Sequence, residues 1–176
     1  MKIKKLILAA LAVLICLSLC ACKNNEEEYW EENPEEFSYD MLDLSIVVDE
    51  IYKTLEISEL TLKSVEKVTD KLVLTEQYYL DLKGVISYDI RSAEGKYGVA
   101  DVAVIRVKEG YADSVLESLD KRKDDRTNEF LNYDVYDSYA IAMGAEVYEA
   151  GELVIMLMIP EDNISSAKEI IDYYLP

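Results

Sequence analysis

The chain has no histidine, and its three cysteines, Cys16, Cys20 and Cys22, crowd into the N-terminal part of a 176-residue sequence. Without an imidazole, serine–histidine and cysteine–histidine nucleophiles are excluded, and no ordinary side chain switches charge near neutral pH. Imidazole metal sites are excluded with them, and thiolate sites are absent from the body of the chain. Glycine is also scarce: the six at positions 84, 95, 98, 110, 144 and 151 form no phosphate-cradling loop and read as turns and element ends. Positive charge is the third shortage. Eighteen lysines and arginines face 36 aspartates and glutamates, a formal charge of −18, and no extended basic cluster follows the first five residues. Phosphate contacts need such clusters, so nucleic acid and anionic headgroups are disfavoured partners, and a cationic partner or a divalent cation suits this surface better.

What is present begins at the N-terminus. Met1-Lys2-Ile3-Lys4-Lys5 is a short positive segment, and Leu6 to Ala21 carries no charge, the pattern of a secretory signal. It ends in Leu19-Cys20-Ala21-Cys22, which resembles the lipobox of bacterial lipoproteins: an aliphatic residue three places before the cysteine, a small one directly before it. Cys20 follows bulky Leu19 and does not compete. The resemblance implies cleavage before Cys22 and acylation of that cysteine by palmitate-like chains, two or three of which hold a membrane stably where one does not. An uncleaved anchor is the alternative, with an apolar run just short of the roughly 20 residues a spanning helix needs. Both readings put the rest of the chain on the extracytoplasmic side, because Lys2, Lys4 and Lys5 hold the N-terminus in the cytoplasm.

Removal of residues 1–21 takes three lysines away, so −18 becomes −21, and leaves one cysteine, already lipidated. No disulfide is then possible. From Lys23 to Phe37 the chain has seven glutamates and no glycine, a self-repelling composition that reads as a tether of roughly 20 Å reach. Tyr29-Trp30 interrupts it. Residues 38–176, half apolar by composition, are long enough to fold as one domain on a hydrophobic core alone.

Within that domain, Leu44, Val47, Val48, Ile51, Tyr52 and Leu55 recur at helical spacing behind Asp40 and Asp43, either of which can cap an amphipathic helix ending near Glu56. Leu60 and Leu62 suggest a short extended piece, and Asp70 to Tyr79 a further helix. Gly84–Ile90 and Gly98–Val107 read as a β-hairpin, with Gly95 as the positive-φ turn residue. Tyr111–Lys123 reads as a helix whose basic end opposes the dipole. Ala145–Tyr148 and Leu153–Ile159 repeat the hairpin, and Pro160 opens a last helix. The expected fold class is α+β: a four-stranded antiparallel sheet in a repeated strand–strand–helix order, packed with helices and preceded by the N-terminal helix. Leu153-Val154-Ile155-Met156-Leu157-Met158-Ile159 does not alternate, so either helices cover both sheet faces or one face meets a partner.

Chemistry-bearing patterns are weak. Ser64/Lys67, Ser118/Lys121 and Ser165/Lys168 share the S-x-x-K spacing of serine–lysine catalysis, without the companion motifs of the penicillin-recognising enzymes. Asp124-Asp125 and Asp134/Asp137 pair carboxylates in expected loops, with no D-x-D-x-D-G calcium loop. The stretches Ala100 to Val107, Leu119-Asp120-Lys121-Arg122, Phe130-Leu131-Asn132-Tyr133 and Ala150 to Val154 resemble a family of small lipoproteins from low-GC Gram-positive bacteria, the domain of unknown function 4358. The resemblance implies a membrane address and no activity. Arg122 and Tyr133 are the candidate ligand-binding residues, because both flank the expected irregular segment 124–143; their structural alternatives are a salt bridge and a tucked-in ring. The reading is a lipid-anchored, non-enzymatic envelope module without cofactor or metal, which touches the membrane through its lipid and binds an envelope protein or small ligand. The rival is an envelope hydrolase using Ser/Lys or paired carboxylates. Cys22→Ala is expected to abolish cleavage and acylation, read as a heavier, unlipidated chain by mass spectrometry of membrane fractions. Cleavage and membrane attachment identical to the parent would contradict it.

Overall fold

The computed structural model describes residues 43–174; Cys22 and the acidic segment 23–37 lie outside the described residues. Asp43 opens the first helix, α1 (Leu44–Thr54), by accepting a 3.0 Å hydrogen bond from the Ser45 amide, which satisfies a donor that a helix start leaves unpaired. Leu44, Val47, Val48, Ile51 and Tyr52 form its buried stripe. Ser58 then caps a short helix, α2 (Glu59–Lys63), where Leu60 and Leu62 suggest an extended piece. Both leucines are exposed and Thr61 between them is the buried residue, so their alternation reflects no strand. Strand β1 (Glu66–Lys67) follows. Beyond it, one helical turn widens into a π-type turn at Val73–Gln77 that leaves Leu74 and Tyr78 buried.

The first hairpin consists of β2 (Val85–Ser92) and β3 (Asp101–Val107), linked through a tight turn at Gly95–Tyr97. The positive φ belongs to Gly98, at 109°, and not to Gly95 as expected. A Cβ on Gly98 would lie 3.0 Å from Thr61 Oγ1, so glycine there answers both a backbone and a packing demand. Next come α3 (Ala112–Phe130), α4 (Ser138–Met143), β4 (Glu146–Ala150), β5 (Leu153–Met158) and α5 (Glu161–Tyr174). Gly151, at φ 62°, turns β4 into β5.

All strand pairs are antiparallel, in the order β1-β2-β3-β5-β4. The sheet therefore has five strands where four were expected. β1 has two exposed residues and no apolar signal, which is why its pattern does not reveal it. With α2 and β1 ahead of the first hairpin and α4 between the halves, a repeated strand–strand–helix order does not describe the chain.

The sheet is covered on both faces. Val102, Val104, Leu153, Ile155 and Leu157 pack with the apolar stripes of α1 and α5, whereas Ala103, Ile105, Val154, Met156 and Met158 pack with Val115, Leu119 and Phe130 of α3 and with Leu74 and Tyr78. Val154, Met156 and Met158 are 0% exposed, so the missing alternation reflects two helical layers and leaves no apolar face for a partner at this strand. α3 runs seven residues past its expected end at Lys123. Its basic residues do not mark a terminus, because Arg122 is buried and the stripe continues through Arg126 to Phe130. The irregular segment thus shrinks from 124–143 to 131–137.

Candidate functional site

Two features stand out: a buried ionic knot where β3 begins, and a cleft at the same end of the sheet. Asp101, fully buried, opens β3. Its Oδ1 accepts from the Ala93 amide at 3.2 Å, and its Oδ2 meets Arg122 Nη2 and Arg126 Nε, each at 3.3 Å. The two arginines are one helical turn apart on α3, so both reach one carboxylate. Arg126 also donates to the Ala93 carbonyl at 3.3 Å and to Glu129 Oε2 at 2.6 Å. Arg122 lies 4.6 Å from the centroid of the Tyr78 ring, a cation–π contact in a desolvated place. Burial, and after it the Asp101 charge, push the Tyr78 hydroxyl up to about 12. The knot ties α3 and the β2–β3 turn to the sheet.

The cleft holds about 750 Å³ and lies where α1 ends, β5 gives way to α5, and α4 meets β4. Asn163 fixes one wall: it donates to the Thr54 carbonyl at 3.2 Å and accepts from the Glu56 amide at 3.4 Å, joining the end of α1 to the start of α5. Tyr136 and Asp137, consecutive residues at φ 52° and 59°, form part of the opposite rim. Left-handed conformations at non-glycine residues are uncommon and concentrate where the fold holds a loop in place. The lining includes Glu56, Asp137, Glu146 and Glu161 but no lysine or arginine. Glu146 is paired with Lys168; none of the ion pairs among the described residues engages the other three. A second groove of about 830 Å³ runs beside β1. Its lysines are balanced by near neighbours, Lys67 by Asp89 at 2.6 Å and Lys63 by Glu59 at 2.6 Å, while its Glu66 and Asp70 are in none of the ion pairs among the described residues.

The structure does not bring Arg122 and Tyr133 together. Arg122 is in the knot and Tyr133 is 60% exposed beyond α3; neither lines either groove, and the Tyr133 ring is not tucked in. Cys22 lies outside the described residues. Two of the three serine–lysine pairs are engaged elsewhere, and in the third Ser165 lines the cleft while Lys168 is paired with Glu146. Ser64 ends α2 and donates to the Thr61 carbonyl at 2.8 Å, while Lys67 sits in β1 on Asp89. Ser118 donates to the carbonyls of Ser114 and Tyr79, and Lys121 covers the Tyr79 ring at 3.5 Å. Asp125 accepts from the Tyr79 hydroxyl, and Asp134 from the Tyr139 amide at 3.0 Å. Among the described residues, no three acidic or cysteine side chains group to hold a metal ion, and no helix is long and apolar enough to cross a membrane.

The sequence reading missed Asp101 and Arg126. A signal was available: Asp101 is the one acid in the apolar run Val99 to Ile105, and Arg122 and Arg126 share helical spacing. The cleft left no such signal, since its residues come from four separate stretches of chain.

Residues 58–159 match the family described as Domain of unknown function (DUF4358). The chain belongs to this family. No curated protein and no solved structure matches the chain. The DUF4358 match covers the whole sheet, α3 and α4, and stops short of α1 and α5. Those two helices cover the face bearing Val102, Val104 and Ile155, so the DUF4358 stretch alone would expose an apolar sheet face, and the folding unit of this chain is longer than its match. Asp101→Asn is expected to strand two buried arginines and to lower stability by about 3–5 kcal/mol in urea denaturation. Glu129→Gln, at a half-exposed partner, is expected to cost less than about 1 kcal/mol. Equal effects would contradict the knot.

Proposed function

We propose that this DUF4358 chain is a lipid-anchored, extracytoplasmic lipoprotein of the low-GC Gram-positive type, a non-enzymatic module that binds a protein or small ligand of the cell envelope. The anchor rests on the lipobox-like Leu19-Cys20-Ala21-Cys22 and the acidic spacer behind it. The binding role rests on one observation: in a domain whose sheet is closed on both faces, the cleft beyond α1 stays open and its carboxylates Glu56, Asp137 and Glu161 have no cationic partner among the described residues. Unpaired charge beside apolar surface suits recognition. The serines and lysines of the pairs Ser64/Lys67 and Ser118/Lys121 have other partners, and Lys168 of the third pair is held by Glu146, which favours binding over serine–lysine hydrolysis. The chain enters α1 at Asp43, and α1 is 11 residues long, so the cleft lies about 16 Å along this helix from the point of entry.

The test compares the lipidated protein with Ala140→Trp, which places a large ring in the cleft from an exposed position on α4. The parent is expected to enrich a discrete envelope component that the equally stable variant does not. Failure to enrich any component, or equal enrichment by both, would overturn the cleft as the binding site.

A further inference from the structure

The cleft also specifies the chemistry of its occupant, an inference that rests on the binding role proposed above. Its floor is apolar, with Ile57, Ile141 and Ile159 among the lining residues, and its exposed acids Glu56, Asp137 and Glu161 have no lysine or arginine partner among the described residues, whereas Glu146 is held by Lys168. The carboxylates do not converge: no three acidic groups among the described residues come together as a metal site. A single divalent ion could therefore satisfy only part of the rim and none of the floor. An occupant with several separated positive charges and aliphatic surface matches both. The volume, about 750 Å³, accommodates a few residues of extended chain or a ligand of drug-like size. Occupants from the same protein are disfavoured by charge. Residues 23–37 contain seven glutamates, and a second copy brings a formal charge of −18, so either would set acid against acid.

We propose that this cleft binds an extended cationic peptide segment in which lysine or arginine alternates with aliphatic residues. The aliphatic side chains lie on the isoleucine floor, and the cations meet Glu56, Asp137 and Glu161 at the rim. Alternation matters because successive side chains of an extended chain point to opposite sides, one set inward and the other toward the rim.

The experiment is titration calorimetry of the full-length protein in nonionic detergent with the end-blocked peptide Lys-Leu-Lys-Leu-Lys, at about 0.15 M salt, where long-range attraction is screened beyond about 8 Å. The triple variant Glu56→Gln, Asp137→Asn, Glu161→Gln is expected to weaken binding by about tenfold or more, whereas Glu109→Gln, Asp113→Asn, Glu117→Gln, of equal net charge but on exposed positions outside the cleft, keeps it within about twofold. Equal weakening by both triples would assign the binding to general surface charge and overturn the proposal. Loss of binding in Ala140→Trp with no effect of the rim triple would leave the cleft as a binding site and overturn its selection of cations. No binding of the peptide by the parent would overturn the proposed occupant, while the envelope enrichment test still decides whether the cleft binds at all.

Discussion

β3 and β5 lie side by side at the centre of the sheet, and every residue of Asp101–Val107 and Leu153–Met158 is buried. A strand without polar alternation has no face to present to water, so each of its two faces needs a cover. α3 and the segment carrying Leu74 and Tyr78 supply one cover; α1 and α5 supply the other. The placement of the remaining elements follows from this constraint. α1 must cross the sheet beside α5, the end of α1 must meet the start of α5, and Asn163 joins them there. The cleft is the space left where these elements and α4 converge on the sheet's edge.

Charge is distributed by the same logic. The chain has twice as many acidic as basic residues, and all four of its arginines are held by carboxylates against the sheet. Arg122 and Arg126 converge on Asp101, Arg106 meets Glu152 at 3.4 Å, and Arg91 bridges Asp89 of β2 at 2.9 Å and Asp49 of α1 at 2.5 Å. Arg91 and Arg122/Arg126 thereby tie one helical layer each to the sheet, α1 on one face and α3 on the other. Removing one partner from such a buried set leaves a desolvated charge, which costs far more than the pair contributes by itself. The arginines are thus committed to the sheet, while lysines such as Lys53, Lys63, Lys96 and Lys168 pair with carboxylates at the surface. The acidic surplus stays outside, and at the cleft it borders apolar surface.

The elements legible in the sequence were those with strong periodic or capping signals. α1 followed from its stripe and from Asp43, α5 from Pro160 and its apolar spacing, and the two hairpins from extended runs between glycines. The doubly covered sheet was legible as one of two outcomes of the unbroken run 153–159. What was not legible had specific causes. β1 is two exposed residues that owe their strand conformation to pairing with Arg91 and Ser92. Leu60 and Leu62 imitate alternation on a solvent-exposed helix. Lys121-Arg122-Lys123 resembled a helix end because local charge cannot show that Arg122 turns inward to an aspartate 21 residues earlier. The cleft depends on long-range assembly entirely, and Tyr133, chosen for its proximity to an irregular segment, is outside it.

Native-state hydrogen exchange tests the double cover most directly. Amides of residues 103–105 and 154–157 are expected to be the slowest in the chain and to exchange only through global unfolding, with free energies equal to that of urea denaturation, while those of Glu66 and Lys67 open locally. Exchange at Val154 and Met156 well below the global free energy, with α1 or α3 opening independently, would show that one face of the central strands lacks a stable cover.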